Sequence, residues 1–373
     1  MVGLYIHIPF CNQVCPYCDF YKMVASTKLK STLINALLEE MKLKKLNNYT
    51  FNTLYIGGGT PSSLDICLLD KLLGGISKYV DLQQLEEFTI EVNPSDITNE
   101  LVELLVKYNV SRISIGVQTF NSKLQKIINR IFDYKVLEEK IHLLRTNNIN
   151  NINLDLIYAI PSETIDDVIS DLNKAISLNP THLSVYSLIL EEHTIFYHQY
   201  LKGKLKLISE EEESLMYKHV CDTLKDNNFI HYETSNFSKS GYESKHNLIY
   251  WNCDEYIGIG PAASSYINNY RITNINNLNQ YLEYIYKNKE SYLEKEYISD
   301  DESMKEYIML GLRKVKGISK LSFKNKYKID IKKQFPKIIE LINEGSLIET
   351  DEQIYIREDL FYISNHFIAK IIY

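Results

Sequence analysis

The sequence lacks the features of several protein classes. It has no long apolar run, and the hydrophobic stretch Gly3–Phe10 is too short to span a membrane or to direct export. Its 373 residues carry a formal net charge of −7, so there is no basic excess of the kind that nucleic-acid binding needs. These absences predict a cytoplasmic protein with no nucleic-acid partner and no stable membrane insertion.

Cysteine is scarce and unevenly placed. Three of the six cysteines, Cys11, Cys15 and Cys18, lie within eight residues, and the other three are scattered. This distribution is unlike a disulfide framework and suits a reducing compartment. A zinc site is the alternative, but it usually needs a fourth ligand at a second paired spacing, and the sequence has no second C-x-x-C. Three thiolates favour a [4Fe–4S] cluster with one iron left open for a cofactor.

Six strand-like runs alternate with helix-like segments in the first half of the sequence. Short apolar segments predict strands at Leu4–Ile8, Thr53–Ile56, Glu87–Val92, Arg112–Val117, Asn153–Tyr158 and His182–Leu190. Because a helix follows nearly every strand, we expect a parallel sheet with right-handed crossovers. Burial on both faces then predicts an α/β fold, a partial parallel (β/α)6 barrel whose chemistry lies at the carboxyl ends of the strands.

The second half of the sequence predicts two smaller parts. The alternating pattern loosens after residue 235, and the segment from Phe335 onward reads as a helix, a cap at Gly345 and a hairpin through Thr350–Gln353. We therefore predict a barrel at 1–235, a connecting region at 236–295, and a small helical, winged-helix-like domain at 296–373.

Polar residues stand where the predicted strands end. They follow the second strand, end the third and fourth, and lie in the fifth strand and on one helix: Gly58, Gly59, Thr60, Glu91, Gln118, Asp155 and Arg130. Each alone has an ordinary structural explanation; for instance, Glu91 could pair with Arg130. Together they would line one end of one barrel, which is the geometry that a polar cofactor needs.

The C-x-x-x-C-x-x-C spacing, with Tyr17 just before the third cysteine, resembles the radical SAM superfamily over nearly the whole chain. The resemblance implies a [4Fe–4S] cluster on Cys11, Cys15 and Cys18, with S-adenosylmethionine (SAM) chelating the open iron and Tyr17 beside the nucleoside. It also implies that a reduced cluster cleaves SAM to a 5′-deoxyadenosyl radical. The electron donor would then be a protein such as flavodoxin or ferredoxin.

Within that superfamily, the segments 5–11, 57–62 and 116–118 resemble the family of the oxygen-independent coproporphyrinogen III oxidase. By this resemblance the cofactor-binding positions are Tyr5, Gly58, Gly59, Thr60, Glu91, Gln118, Arg130 and Asp155. Two departures matter. Phe20 stands where the oxidase has a further cysteine, and the chain starts almost on its first strand, without the extension that is thought to help close the oxidase site. Since radical chemistry needs a closed site, we expect no coproporphyrinogen oxidase activity.

The segment 246–251 contains the only tryptophan. Its sequence, His-Asn-Leu-Ile-Tyr-Trp, resembles the H-N-x-x-Y-W signature of the haem-chaperone branch of this family. An imidazole is a common axial haem ligand, and a Tyr–Trp pair can pack on a porphyrin face. A lone histidine is more often a structural residue, and without the resemblance that reading would be preferred. With it, His246 is the predicted iron ligand, and Tyr250 and Trp251 are the predicted haem platform.

The leading prediction is a haem chaperone that binds a [4Fe–4S] cluster, SAM and haem, and transfers the haem to an acceptor haemoprotein. The alternative is an enzyme that decarboxylates the propionates of coproporphyrinogen III with the 5′-deoxyadenosyl radical. A third class, RNA modification, fits poorly with an acidic chain.

Overall fold

A computed structural model describes residues 2–373. Six parallel strands, neighbours in sequence order, form the central sheet: β1 (Val2–Ile8), β2 (Thr53–Gly58), β3 (Glu87–Val92), β4 (Arg112–Gln118), β5 (Asn151–Tyr158) and β6 (His182–Ser187). The helices of the connections are α1 (Thr27–Leu43), α2 (Ile66–Ile76), α3 (Asn99–Lys107), α4 (Ser122–Ile127), α5 (Tyr134–Thr146) and α6 (Ile165–Ser177). This is the predicted strand–helix alternation.

Local signals in the sequence set the helix boundaries. Ser26, Thr98 and Thr164 each accept a backbone amide hydrogen bond in the first turn of the helix that they precede, which satisfies an otherwise unpaired donor. Thr164 and Asp167 complete a reciprocal capping box. Asn148, two residues beyond the end of α5, takes the left-handed conformation at φ 66°, as asparagine often does after a helix.

The sheet continues beyond the six parallel strands on both sides. After α7 (Ile195–Leu201) and α8 (Glu210–Asp226), β7 (Ile230–Glu233) and β8 (Asn236–Ser238) extend it beside β6. After α9 (Lys245–Trp251), β9 (Glu255–Ile259) pairs with β1 in parallel, and β10 (Ser264–Ile267), β11 (Tyr270–Asn274) and β12 (Tyr292–Tyr297) follow antiparallel. The segment predicted as a connecting region, 236–295, therefore supplies five strands, α9 and α10 (Leu278–Tyr286) to the sheet of the barrel.

The two faces of the barrel strands differ in chemistry. On β1, Leu4, Ile6 and Ile8 are fully buried against the surrounding helices, and Tyr5 and His7 alternate with them on the inner face. The inner face is polar along the whole height of the barrel, and its amino end holds buried Thr53, Glu87, Arg112, Asn153 and His182. Both faces are therefore buried, but only the outer one is apolar.

The last part of the chain has a core of its own. It consists of α11 (Asp300–Gly311), β13 (Ile318–Ser319), α12 (Lys320–Tyr327), α13 (Ile331–Gln334), α14 (Lys337–Asn343), β14 (Leu347–Glu349), β15 (Gln353–Ile356) and α15 (Ser364–Ile372). The three strands form a separate antiparallel sheet in the order β13-β15-β14. Along the chain, the succession of these helices and strands is that of a winged helix. No helix within residues 2–373 has the length and apolar character needed to cross a membrane.

Candidate functional site

The three clustered cysteines lie on one loop at the carboxyl end of β1. Cys11 and Cys15 are buried, and Cys18 is partly exposed. Met23 closes the loop, since its amide donates to the Pro9 carbonyl at 2.7 Å and its carbonyl accepts from the Cys11 amide at 3.0 Å. The thiols are close enough to one another for each to affect the ionisation of Cys11.

Two neighbouring groups favour the thiolate forms through which cysteines bind metal. Burial raises the pKa of the Cys11 and Cys18 thiols, while a Thr60 hydroxyl 3.8 Å from the Cys11 sulfur and the Lys22 ammonium beside Cys18 favour the thiolates. Among residues 2–373, no three Cys, His, Asp or Glu side chains converge on a point that a single metal ion would occupy. A cubane cluster needs no such convergence, because each thiolate binds a different iron.

The triple-glycine segment packs directly against the cysteine loop. The Thr60 amide donates to the Phe10 carbonyl at 2.7 Å. A Cβ on Gly59 would lie 2.7 Å from that same carbonyl oxygen, and Gly58 has φ +112° with the His7 imidazole 2.5 Å from the place of its missing Cβ. Only glycine fits at these two positions, so the sequence brings the second strand end against the predicted cluster ligands.

Glu91 lies inside the barrel below this segment. Its Oε1 accepts from the Tyr55 hydroxyl at 2.8 Å, and its Oε2 accepts from the Gly58 amide at 3.1 Å. Burial raises the pKa of Glu91 to about 7, and the nearby Asp155 carboxylate adds to the rise. A carboxyl group held in this way is poised between its neutral and charged forms near neutral pH.

Arg130 reaches from the loop after α4 to the cysteine loop. Its Nη1 donates to the Asn93 side chain, and its guanidinium lies beside Tyr17 and Cys15. Its Nε is buried without a hydrogen-bond partner. The sequence also allowed an ordinary ion pair between Arg130 and Glu91. In the structure Arg130 contacts Asn93 instead.

Gln118 and Asp155 complete the same end of the barrel. Gln118 follows a bulge after Gly116 and has φ 72°, a left-handed backbone that is uncommon for a residue other than glycine or asparagine. Asp155 accepts from the Ser114 hydroxyl at 3.2 Å and from the Asn153 amide at 2.7 Å. Burial raises the pKa of Asp155, so these donors partly offset its desolvation.

These elements surround a cavity of about 520 Å³, which we call the cofactor cavity. Eleven of the twelve residues that were predicted for the cluster and the SAM site line it: Cys11, Cys15, Cys18, Tyr17, Gly58, Gly59, Thr60, Glu91, Gln118, Arg130 and Asp155. Three thiols, a glycine cradle, an unpartnered buried guanidinium nitrogen and a volume in the range of ligand sites are a chemical fit to a cluster and SAM.

The lining also contains polar residues that the sequence did not indicate, and three of them hold predicted site residues in place. Tyr55 holds Glu91, Asn93 holds Arg130, and Ser114 holds Asp155. Tyr55 and Ser114 lie two residues before Gly57 and Gly116, so strand alternation alone would have placed them on the inner face. Asn93 stands beyond the end of β3, where no such periodicity applies.

A second cavity of about 400 Å³, which we call the tyrosine pocket, lies along the inner side of β1. Its aromatic lining is Tyr5, His7, Phe20, Tyr21, Tyr250 and Tyr256. Tyr5 is the one predicted SAM contact that lies here instead of in the cofactor cavity. Its hydroxyl is 2.9 Å from His7 Nδ1, and His7 Nε2 donates to the Tyr21 carbonyl at 2.9 Å. Phe20 lines both cavities and lies where they meet.

His246 lies at the amino end of the barrel, away from the cysteine loop. Its side chain is 1% exposed, with Nδ1 2.7 Å from the Thr53 hydroxyl and Nε2 2.8 Å from the Tyr250 hydroxyl. Burial, with the Arg112 guanidinium nearby, lowers the pKa of His246 to about 3. In this arrangement neither ring nitrogen is available to iron, so the structure speaks against the predicted role of His246 as a haem ligand.

Tyr250 and Trp251, the two aromatic residues of the same segment, lie in different places. Tyr250 lines the tyrosine pocket, with its ring edge-on to Tyr256 at 4.7 Å between centroids. Trp251, at the end of α9, is half-buried and lines neither of the two cavities. The predicted platform of two adjacent rings is therefore not formed, because residues that are adjacent on a helix point in different directions.

Comparison with known proteins gives two family matches. The model of the radical SAM superfamily matches residues 5–175, and that of the HemN C-terminal domain matches residues 298–357. The solved structure of the coproporphyrinogen III oxidase HemN from Escherichia coli superposes with a TM-score of 0.86 and is 20% identical, covering 99% of this chain and 89% of that one. This likeness confirms the predicted fold class.

Several haem chaperones share a higher sequence identity with this chain than HemN does. The haem chaperone HemW of Lactococcus lactis is 39% identical over 98% of this chain and 96% of its own length, and that of Bacillus subtilis is 37% identical over 94% of each. HemW of Escherichia coli is 34% identical over 70% of this chain and 69% of its own length. The chain therefore belongs to the HemW family of the radical SAM superfamily.

Proposed function

We propose that this protein is a haem chaperone that holds a [4Fe–4S] cluster and SAM and passes haem to an acceptor haemoprotein. The observation that carries the proposal is the identity of 39% over 98% of the chain to a protein named as a haem chaperone. The polar cofactor cavity at the carboxyl end of the barrel supports the cofactor part of it. The predicted cytoplasmic location stays part of this proposal.

Named residues have defined tasks in this proposal. Cys11, Cys15 and Cys18 hold the cluster, and Tyr17 lies beside the cofactor at the end of the same loop. The backbone of Gly58, Gly59 and Thr60 approaches the cofactor where side chains would block it.

The remaining cofactor contacts come from the strand ends. Glu91, Gln118, Arg130 and Asp155 meet the polar groups of SAM. Tyr5 lines the neighbouring tyrosine pocket, and its ring lies beside that of Tyr55, which lines the cofactor cavity. When bound, the cluster and SAM supply one-electron chemistry, and the protein's part is to position them and to exclude water.

Glu91 orients the site through two fixed hydrogen bonds. The Tyr55 hydroxyl and the Gly58 amide hold its carboxylate, so its position does not depend on the cofactor. Arg130 lies beside Tyr17 and Cys15 of the cysteine loop, and Asn93 accepts a hydrogen bond from its guanidinium. Both side chains are held by hydrogen bonds to the protein itself, which lowers the ordering cost of cofactor binding.

Haem titration of the anaerobically reconstituted protein tests the proposal. We expect a Soret band that saturates near one haem per chain, followed by transfer of the haem to an apo-haemoprotein. Absence of specific haem binding by the protein with its full complement of iron and sulfide would contradict it.

Coproporphyrinogen III decarboxylation is the second candidate, and the likeness to HemN is its support. At 20% identity that likeness shows the fold alone. Anaerobic incubation of the reconstituted protein with SAM, a reductant and coproporphyrinogen III separates the two functions. The chaperone proposal expects the substrate to remain unchanged.

A further inference from the structure

Three large apolar side chains are exposed at the mouth of the cofactor cavity. Phe20 is 68% exposed, Ile131 is 73% exposed and Ile189 is 67% exposed, and all three line the cavity. We call them the apolar rim. Single exposed apolar residues are ordinary on protein surfaces, whereas a contiguous group around one opening marks a binding surface.

The members of the apolar rim come from three separate loops. Phe20 belongs to the loop between β1 and α1, Ile131 to the loop between α4 and α5, and Ile189 to the loop between β6 and α7. Sequence proximity therefore does not explain their meeting. The folded barrel brings them together, since loops at the carboxyl ends of parallel strands share one edge of the sheet.

The cavity changes character from floor to mouth. Its floor holds Glu91 and Asp155 with their hydrogen-bond donors, which suits a polar cofactor. Its mouth offers aliphatic and aromatic surface, which suits an apolar ligand lying over that cofactor. A ligand that is broad, flat and apolar in its centre can contact all three side chains at once, because they come from three loops that line one opening.

The rim also carries a positive charge. Lys22 lines the cavity, and its Nζ donates to the Cys18 carbonyl and, at 3.3 Å, to the Phe20 carbonyl. Within residues 2–373 it forms no ion pair with a carboxylate. An anionic group at the edge of the ligand would meet this ammonium group.

From these observations we infer that the apolar rim binds the porphyrin ring of haem across the mouth of the cofactor cavity, with a propionate toward Lys22. The inference rests on the proposed function, and it names the place where the cargo lies. The ring lies on Ile131 and Ile189 and against Phe20, so apolar contact with the macrocycle supplies affinity independently of any bond to the iron.

The test uses the reconstituted full-length protein and the double variant I131S/I189S. Both side chains are exposed, so their replacement spares the core, and neither belongs to the cluster ligands or the SAM contacts. The matched control is L321S/I339S, which changes two side chains that are 65% and 46% exposed in the C-terminal domain. Each protein is titrated with haem and with metal-free protoporphyrin IX, after iron and sulfide contents are shown to be equal.

We expect the rim variant to bind both porphyrins at least tenfold more weakly than the wild type and the control to bind them equally well. Unchanged affinity in the rim variant overturns the inference and leaves the chaperone proposal intact. A loss seen with haem but not with protoporphyrin also overturns it, because ring contact must act on both. Normal haem affinity with slower transfer to an apo-haemoprotein would assign the rim to the acceptor instead. A wild type that binds neither porphyrin overturns the chaperone proposal itself.

Discussion

The Nδ1 of His246 lies 2.7 Å from the hydroxyl oxygen of Thr53, the first residue of β2. The glycine segment of the cofactor cavity stands at the other end of that strand, roughly 16 Å away at about 3.3 Å per residue. The histidine therefore closes the amino end of the barrel, opposite the predicted cluster. α9 is fixed there by Glu87, which accepts from the backbone amides of Lys245 and His246.

Replacement of His246 by alanine is expected to destabilise the fold and to leave the haem spectrum unchanged. The substitution leaves the Thr53 and Tyr250 hydroxyls without their partner inside a closed interior, and each unsatisfied group costs about 1–3 kcal/mol. Denaturant unfolding should show a loss of about 2–5 kcal/mol. A shifted Soret band at unchanged stability would return His246 to the role of iron ligand.

The buried imidazole also predicts a pH effect. The pKa of His246 is about 3 in the folded protein, below its ordinary value of 6.5. Below pH 6.5 the imidazole therefore binds a proton in the unfolded chain but not in the folded one. Protonation of the unfolded chain lowers the free energy of unfolding progressively as the pH falls from about 6.5 toward 3. Between pH 7.5 and pH 5 the wild type should lose about 2 kcal/mol of unfolding free energy through this group, and H246Q should be spared that loss. Unfolding curves at the two pH values measure this difference, and parallel losses in both proteins would contradict it.

The sequence predicts the barrel well because its signals are local. Each strand carries an apolar outer face, five of the six helices α1 to α6 begin at a side-chain cap, and the three cysteines and three glycines stand at strand ends. Residues that belong to those strand ends, such as Glu91 and Gln118, are therefore placed in the cofactor cavity from sequence alone.

The segment 246–251 shows where such reasoning stops. Its composition suggests a haem site, but the direction of each side chain depends on how α9 docks. Docking depends on contacts with residues more than 150 positions away, such as Glu87, and on the register of β9 beside β1. Periodicity in one chain carries no information about these long-range contacts, so His246 turns inward and Tyr250 and Trp251 separate.

Glu91 and Glu87 lie on the same strand and offer a matched pair for cofactor binding. E91Q removes the charge next to the cofactor cavity, and we expect SAM affinity to fall at least roughly tenfold, because a hydrogen bond to a charged group is worth about 1.5–3 kcal/mol. E87Q, at the amino end, should keep normal SAM affinity and lose stability, since it weakens the cap of α9. Calorimetric titration of both reconstituted variants with SAM measures this difference. Equal SAM affinities of E91Q and E87Q would show that Glu91 does not belong to the SAM site.

The raised pKa of Glu91 gives the same variant a second readout. Its pKa of about 7 lies above the ordinary 4.5, so this carboxyl group favours folding at low pH, and the advantage is lost as the pH rises from about 4.5 to 7. E91Q should therefore equal or exceed the wild type in stability at pH 8 while binding SAM poorly. Thermal unfolding at pH 5 and pH 8 checks this, and a variant that is destabilised at both values would show that the carboxylate is structural.

The cluster assignment is tested by comparing two cysteines. C15A removes a buried thiol of the cysteine loop, and we expect no brown chromophore after anaerobic reconstitution, because the remaining thiols cannot hold the cubane stably. C67A removes an exposed thiol on α2 and should reconstitute like the wild type. Iron and sulfide analysis and the visible spectrum measure both, and a normal iron and sulfide content in C15A would refute the ligand set.

Gly59 tests whether the glycine segment must press against the cysteine loop. In G59A the new methyl carbon would lie 2.7 Å from the Phe10 carbonyl oxygen and 2.9 Å from its amide nitrogen, both backbone atoms that cannot turn aside. The loop that begins at Cys11 must then shift, so we expect lower cluster content and at least roughly tenfold weaker SAM binding, as a misplacement of about 1 Å can cost 100-fold at a reacting site.

The matched control is G74A on α2, where the methyl group meets only the hydroxyl of the Tyr108 side chain at 3.0 Å. Alanine is favoured over glycine inside a helix by about 0.5–1 kcal/mol, so this control should fold at least as well as the wild type and carry a full cluster. If G59A also carries a full cluster and binds SAM normally, the close approach of these two backbones is a packing detail and the cofactor is held elsewhere in the cavity.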